Sequence, residues 1–307
     1  MTQLPPSVPP AVARRRMQGR WRVILERVLE SRIAACAGLV LAFIVLAALL
    51  APWIAPQNPY DLASLDILDS KLPPGSLSGD GSVRYWLGTD EQGRDMLSAI
   101  LFGLRISLYV GVLATLCALL VGTLMGLTAA FARGWVDALI MRIVDIQLAL
   151  PGVLIALVLL AILGKGVDKV VIALIVGGWA YFARAARASA MVERDKEYME
   201  AAVCLGFGRR RQLLRHLLPN CMPPLIVIAT IEFAEAIAAE AALSFLGVGV
   251  PVSEPSLGML TANGFDLLMS GRYWLCLFPG MALAIVILAF NLVGDRFREI
   301  INPRGER

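Results

Sequence analysis

The side chains able to perform chemistry are few and scattered in this sequence. The chain has one histidine, His216, and both metal sites and acid–base catalysis depend heavily on histidine. Cys204 could pair with it as nucleophile and base, but no third group that would orient the base lies nearby. The only Gly-Lys pair, Gly164-Lys165, lacks the G-x-x-x-x-G-K-[ST] pattern of a phosphate-binding loop. We therefore expect no catalytic residue, no metal site and no cofactor on this chain.

Three acidic residues interrupt an otherwise apolar stretch: Glu232, Glu235 and Glu240. In a helix their side chains would spread over an arc of about 140°, which is one broad face. Charges within a membrane span usually face the bundle interior or a wet cavity. Two interpretations stay open. The face lines a translocation pathway and meets a cationic substrate group, or the three carboxylates pair with arginine or backbone groups across the interface with a second membrane subunit, with Glu240 near the outer interface.

The composition explains why these charges stand out. Apolar residues make up 58% of the 307 residues and charged residues 17%, against about 45–50% and about 25% in soluble domains. These values exclude a disordered chain, a disulfide scaffold and most soluble enzymes. Long apolar runs predict six transmembrane helices, at residues 33–56, 106–132, 146–164, 170–192, 223–249 and 273–294. We therefore predict an all-α, polytopic membrane protein.

The basic residues of the loops orient these spans. With the N-terminus in the cytoplasm, most of the 28 Lys and Arg residues fall in cytoplasmic segments, which is the usual bias. The predicted parts are a basic cytoplasmic arm (1–32), the first helix with a periplasmic lead-in (33–105), a five-helix core (106–294) with a cytoplasmic loop (184–222), and a cytoplasmic tail (295–307). The arm suits anionic lipid headgroups, and the net charge of +4 indicates no nucleic acid partner.

Other residues are expected to shape the helices. Gly111, Gly122 and Gly126 stand where close helix packing needs small residues. Proline kinks helices, so bends are expected at Pro151 and Pro279, either as hinges or as static packing features. An amphipathic helix is expected to lie along the interface at residues 90–106, with a role in packing and in contact with a substrate-delivery protein.

The cytoplasmic loop is the most specific part of the sequence. Helix-forming residues fill 193–204, and Gly206 is placed to end that helix. A second short helix is predicted at 209–217, ending before Pro219. The loop is thus predicted to form a helix–turn–helix at the membrane face, although an ordinary solvated loop with turn glycines also fits these residues.

The spacing within this loop resembles the EAA loop of ATP-binding cassette importer permeases. The matching positions are a Glu-Ala-Ala triplet, a glycine after three further residues and a later Leu-Pro pair: Glu200, Ala201, Ala202, Gly206, Leu218 and Pro219. In that family the loop holds a coupling helix that docks into a groove of the ATPase subunit. His216 departs from the family pattern, which has an apolar residue, often Ile, at this position.

Further motifs resemble the dipeptide/oligopeptide/nickel group of these permeases, in particular its C-type subunit. They occupy residues 88–95, 103–108, 141–152, 239–247 and 278–295 in the same order, within a likeness that covers roughly 33–304. Departures include Leu257, where the group usually has Trp, and Asn302, where Asp is usual. These departures affect which substrate is expected and leave the resemblance to the family unchanged.

The resemblance implies one of two membrane subunits of a bacterial ATP-driven importer for di- or oligopeptides. Such a subunit lies in the inner membrane with both termini in the cytoplasm and works by alternating access. The implied partners are a second homologous permease, two ATPase subunits that hold ATP and Mg²⁺, and an extracytoplasmic solute-binding protein. Two alternatives stay open: a nickel or metal-chelate importer of the same fold, and an ATP-independent transporter subunit.

Overall fold

The computed structural model describes residues 31–61, 65–81 and 83–301. Most of the predicted N-terminal arm and the last six residues of the predicted tail lie outside this part of the chain. Within it the fold is almost entirely helical, with one short hairpin near the start of the core.

The described elements follow one another as long helices separated by short ones. The α-helices are α1 (Arg32–Ile54), α2 (Met96–Ala132), α3 (Gly134–Leu148), α4 (Gly152–Leu163), α5 (Val167–Arg194), α6 (Glu197–Cys204), α7 (Leu218–Phe245), α8 (Leu257–Phe265) and α9 (Trp274–Ile301). Strands β1 (Ser76–Leu77) and β2 (Arg84–Tyr85) pair antiparallel. A helical turn, Arg209–Arg211, and a π-helical stretch, Gln212–Leu217, lead into α7.

Four described helices are long and apolar enough to cross a membrane: α1, α2, α5 and α9. Helices α3 and α4 would count as a fifth span, although they meet at an angle of 89°. Helix α7, which carries the three glutamates, has 28 residues and is not among the helices that meet this criterion. An all-α membrane protein is therefore confirmed, whereas the count of six spans is not.

The break between α3 and α4 lies at one of the two prolines that were expected to bend helices. Pro151 directly precedes α4 and has no backbone N–H to continue α3. Residues 134–148, most of which were expected to form a loop, are helical instead. Asp137 of α3 forms a two-pronged ion pair with Arg187 of α5, at 2.5 and 2.6 Å. Pro279, in contrast, lies within the single helix α9.

Three predictions of helix boundaries are wrong. The interfacial helix expected at 90–106 does not form, because residues 90–95 make a turn and α2 begins only at Met96. The helix expected at 193–204 is interrupted at residues 195–196. The second short helix does not end before Pro219, since the π-helical stretch continues directly into α7 and this proline lies in the first turn of that helix.

Glycines bring α2 and α5 into direct contact, as their spacing predicted. A Cβ atom on Gly122 would lie 2.3 Å from the Trp179 carbonyl oxygen, and one on Gly126 would lie 2.3 Å from that of Ala183. Because only glycine permits backbones to approach this closely, close packing at these positions is confirmed. Gly111 similarly faces the Phe233 ring of α7.

The bundle has two distinct ends. Helices α2, α5 and α9 begin where α1 and α7 terminate, and the β1–β2 segment lies there too; we name this the hairpin end. The opposite end holds α6, and we name it the short-helix end. There the Arg194 guanidinium donates to the Ala130 carbonyl at 2.7 Å, which ties the last turn of α5 to that of α2.

Candidate functional site

Helix α6 at the short-helix end has one buried side and one exposed side. Met199 and Ala202 are buried, at 3% and 2% exposure, and they attach the helix to the bundle. Glu200, Ala201 and Val203 are exposed. Within the Glu-Ala-Ala triplet, the second alanine therefore packs against the bundle, while the glutamate and the first alanine are exposed to solvent.

The end of α6 depends on a left-handed backbone conformation at Gly206. Its φ is +68°, a value that side-chain-bearing residues rarely adopt. The turn is closed by hydrogen bonds from the Leu205 amide to the Ala201 carbonyl at 2.9 Å and from the Phe207 amide to the Ala202 carbonyl at 3.1 Å. A Cβ on Gly206 would meet no atom within 4 Å. The glycine is thus required by conformation and not by lack of space.

The start of α6 is fixed to the end of α5. The Tyr198 hydroxyl donates to Glu193 Oε2 at 2.8 Å, and the Lys196 ammonium lies 2.6 Å from Glu193 Oε1. Burial, followed by this bond to Glu193, raises the pKa of Tyr198 to about 12. The phenol therefore stays protonated and remains a donor at every physiological pH.

The returning chain packs against α6 through an aromatic stack. The rings of Phe207 and His216 are 5.5 Å apart and nearly parallel, at 15°. The Arg211 guanidinium lies 4.1 Å from the Phe207 ring centroid, within the range of a cation–π contact. His216 thus fills with a flat ring the place where the family pattern has an apolar residue. Leu218 is half-buried and Pro219 exposed, beside the fully buried Leu217.

A cavity of about 360 Å³ lies between α4, α5 and α7. Glu232 and Glu235 line it together with Gly178 and Tyr181 of α5 and with small residues of α7. Glu232 is half-buried and Glu235 exposed, and neither forms an ion pair within the described part of the chain. A Cβ on Gly178 would lie 3.5 Å from Glu232 Oε2, so the glycine leaves the carboxylate room.

Glu240 occupies a different environment from the other two glutamates. It is fully buried and accepts hydrogen bonds from Ser107 Oγ at 3.0 Å and Ser244 Oγ at 2.8 Å. Ser244 Oγ in turn accepts the Val250 amide at 3.3 Å. The expected single face is therefore divided, and the partners of Glu240 are hydroxyls instead of arginine or backbone groups. It joins α2 to α7 and lies outside the cavity.

The motif at residues 88–95 forms a turn at the hairpin end that is hydrogen-bonded within itself and to neighbouring segments. Arg94, which is 1% exposed, places its Nε 2.6 Å from Asp90 Oδ2. Asp90 Oδ1 also accepts the amides of Gln92 and Arg94, at 2.8 and 2.9 Å. Asp95 caps α2 by accepting the Ser98 amide at 2.8 Å, and burial raises the pKa of this carboxyl. These contacts hold the turn in place at the start of α2.

Comparison with known proteins identifies the class of this chain. A family model described as "Binding-protein-dependent transport system inner membrane component" matches residues 118–307. A second model, described as "N-terminal TM domain of oligopeptide transport permease C", matches residues 19–74. The chain therefore belongs to the family of binding-protein-dependent transport system inner membrane components, and the resemblance inferred from the loop motif is confirmed.

Two individual relatives and one solved structure are similar to this chain. The di/tripeptide transport system permease protein DppC of Pseudomonas aeruginosa is 40% identical over 266 residues, which cover 87% of this chain and 86% of the relative. The dipeptide transport system permease protein DppC of Escherichia coli K12 is 41% identical over 271 residues, covering 88% and 89%. The fold is similar to that of the inward-facing MetNI methionine ABC transporter, with a TM-score of 0.54 at 18% identity, over 67% of this chain and 97% of that one.

Proposed function

We propose that this chain is the membrane permease subunit of a binding-protein-dependent, ATP-driven importer of di- or oligopeptides. The observation that carries the substrate class is the 40% and 41% identity, over nearly nine tenths of the chain, to permeases named for di/tripeptide and dipeptide transport. The EAA-type spacing at α6 supports the ATP-driven mechanism, since the loop of the family that it resembles docks into the ATPase subunit.

The partners follow from the family. A second, homologous permease completes the translocation pathway, two ATPase subunits bind ATP and Mg²⁺, and an extracytoplasmic solute-binding protein delivers the peptide. ATP hydrolysis takes place on the ATPase chains. The short-helix end faces the cytoplasm together with both termini, and the hairpin end faces outward. The exposed arginines at 209–211 agree with this orientation, since basic residues favour the cytoplasmic side.

In this proposal α6 is the coupling helix. Its exposed side, formed by Glu200, Ala201 and the turn at Gly206, docks into a groove of the ATPase, while Ala202, Leu218 and Pro219 shape its seat on the bundle. Movement of the ATPase would pass to α5 through the Tyr198–Glu193 bond and to α2 through the Arg194–Ala130 bond. The ATPase-docking site and the translocation pathway are then coupled, so that binding at each site changes the binding free energy at the other by the same amount.

The cavity between α4, α5 and α7 forms part of the translocation pathway in this proposal. Glu232 and Glu235 are carboxylates without ion pairs among the described residues, and small residues surround them. They are suited to attract the ammonium group of a passing peptide. Glu240 is not included, because its two oxygens already accept serine hydroxyls.

The coupling role is tested by blocking the exposed side of α6. In the complete complex, Glu200→Lys and Ala201→Trp should abolish co-purification of the ATPase subunits and the uptake of labelled dialanine, while membrane insertion stays normal. Asp266→Lys, which changes an equally exposed carboxylate at the hairpin end, should leave ATPase binding unchanged. Normal stimulation of ATP hydrolysis by loaded binding protein in the two α6 variants would contradict the proposal.

The pathway role is tested by neutralising the cavity. Glu232→Gln and Glu235→Gln should each lower dialanine uptake without lowering assembly of the complex. Glu91→Gln is the control, because Glu91 forms an exposed ion pair with Lys71 far from the cavity. Normal uptake by both cavity variants would exclude these glutamates from the pathway.

A further inference from the structure

A second cavity, of about 350 Å³, lies at the hairpin end. Side chains of four separate segments line it, one of which is the start of α5, at Val167. Phe102, Arg105 and Tyr109 come from α2, Tyr60 from the chain that follows α1, and Glu254 from the loop between α7 and α8. Tyr60 keeps 44% of its surface exposed, so the cavity is open to its surroundings. Its volume lies at the small end of the range for ligand sites, about 300–1,000 Å³.

The cavity carries one charge of each sign, and neither is neutralised by a neighbour. In the described ranges Arg105 and Glu254 form no ion pair, either with each other or with another side chain. Arg94, two residues before the start of α2, shows the contrast, since Asp90 holds it at 2.6 Å. Arg105 is exposed and Glu254 half-buried, so the protein encloses neither charge. Arg105 and Glu254 are therefore both available to a ligand.

Both charges act on the same place within the cavity. The Tyr60 ring stands edge-on to the Phe102 ring, with centroids 5.4 Å apart. Partial burial and then the charge of Glu254 raise the pKa of Tyr60, while the charges of Arg105 and Arg94 oppose that rise. Tyr60, Arg105 and Glu254 line the same cavity, which places the two charges around one volume.

The chemistry of this lining fits a small zwitterion with an apolar body. A guanidinium binds a carboxylate through two parallel hydrogen bonds, a carboxylate binds an ammonium group, and tyrosine faces attract cations. The cavity at Glu232 and Glu235 differs, because the charges on its lining are negative only. We propose that the hairpin-end cavity binds the charged termini of a short peptide, with Arg105 holding its carboxylate and Glu254 its ammonium group. This inference rests on the proposed peptide substrate.

The experiment pairs each charge of the protein with one terminus of the peptide. The complete permease–ATPase complex, in lipid nanodiscs without binding protein, is titrated with dialanine, dialanine amide and N-acetyl-dialanine. Arg105→Gln should weaken dialanine binding about tenfold but leave that of dialanine amide, which has no carboxylate, unchanged. Glu254→Gln should weaken dialanine binding similarly and leave that of N-acetyl-dialanine unchanged. Arg105→Lys should retain most of the binding.

The controls separate this inference from other roles of the two residues. Arg84→Gln, at an exposed arginine on β2 that lies over the Trp86 ring, should bind all three probes as the unmodified complex does. Equal binding of the three probes by every variant, or no dialanine binding by the unmodified complex at millimolar peptide, would overturn the inference. So would loss of the second permease from the Arg105→Gln complex, because these charges would then hold a subunit contact. If the unmodified complex with loaded binding protein transports no dipeptide, the proposed function itself fails.

Discussion

The turn at residues 88–95 and the short-helix end are both prominent motifs in the sequence, but they differ in where their polar groups are satisfied. In the turn, Asp90 and Arg94 are buried and bind each other at 2.6 Å. At the short-helix end, Glu200 and Ala201 are exposed, and Glu200 forms no ion pair among the described residues. A motif whose charged groups are buried in a mutual ion pair serves the architecture, whereas a motif whose groups face outward offers them to a partner.

The same contrast divides the glutamates of α7. Glu240 is fully buried and binds two serine hydroxyls, so it resembles the turn. Glu232 and Glu235 line a cavity between helices, so they resemble the short-helix end. Helical spacing alone places the three on one broad face, and only the neighbouring helices assign them to different roles.

Arg94→Met tests the buried ion pair of the turn and has the largest expected effect. It would leave the buried Asp90 without its cation, and breaking a buried ion pair in this way costs about 3–5 kcal/mol. Denaturation of the detergent-solubilised complex should show this loss. The exposed Lys71–Glu91 pair supplies the control, since Lys71→Met should cost under about 1 kcal/mol. Equal stability of the two variants would remove the distinction between the buried turn and its surface.

Glu240→Ala and Glu235→Ala compare the two kinds of glutamate directly. The first removes the acceptor of two buried hydroxyls and leaves a cavity, which should cost about 2–5 kcal/mol. The second removes an exposed side chain and should change the free energy of unfolding by less than about 0.5 kcal/mol. Dialanine uptake per assembled complex should fall in the Glu235 variant. A stable Glu240→Ala protein would show that the serines find other acceptors.

Gly126→Ala tests the contact between α2 and α5. The new methyl group would lie 2.3 Å from the Ala183 carbonyl oxygen, so the helices must separate, at a cost of about 1–3 kcal/mol. Gly38 in α1 is the matched control, because a Cβ there meets nothing within 4 Å. Alanine at that position should be neutral or stabilising. Thermal denaturation of both variants measures the difference, and equal midpoints would indicate that the helix pair adapts.

The sequence predicts what depends on local pattern and fails where distant residues decide. The long apolar runs predict α1, α2, α5 and α9, and the glycines of α2 predict its close contact with α5. Residues 90–95, the last six of the turn, were expected to begin a helix, because the sequence does not reveal that Gly93 adopts a φ of +77° or that Asp95 caps α2.

The candidate sites were predictable to different degrees. The residues proposed for coupling follow from spacing within a single loop, so the sequence alone is enough to propose them. The separation of Glu240 from Glu232 depends on Ser107, which lies 133 positions away along the chain, and no local signal reports such a contact. Arg105 and Glu254 were missed for the same reason, because the chain brings them to one cavity from α2 and from the loop after α7.

Gly206→Ala has the smallest expected effect and examines the short-helix end most closely. Alanine at the φ of +68° should cost about 1 kcal/mol, although there is space for the methyl group. Gly208 is the matched control, since its φ is −60° and alanine adopts that value without strain. Hydrogen exchange of the α6 amides should therefore accelerate about fivefold in the first variant and stay unchanged in the second.

Because the strain is confined to the turn that ends α6, global stability should stay nearly constant while ATPase docking weakens. Equal exchange in the two variants would show that the exposed side of α6 does not depend on this turn.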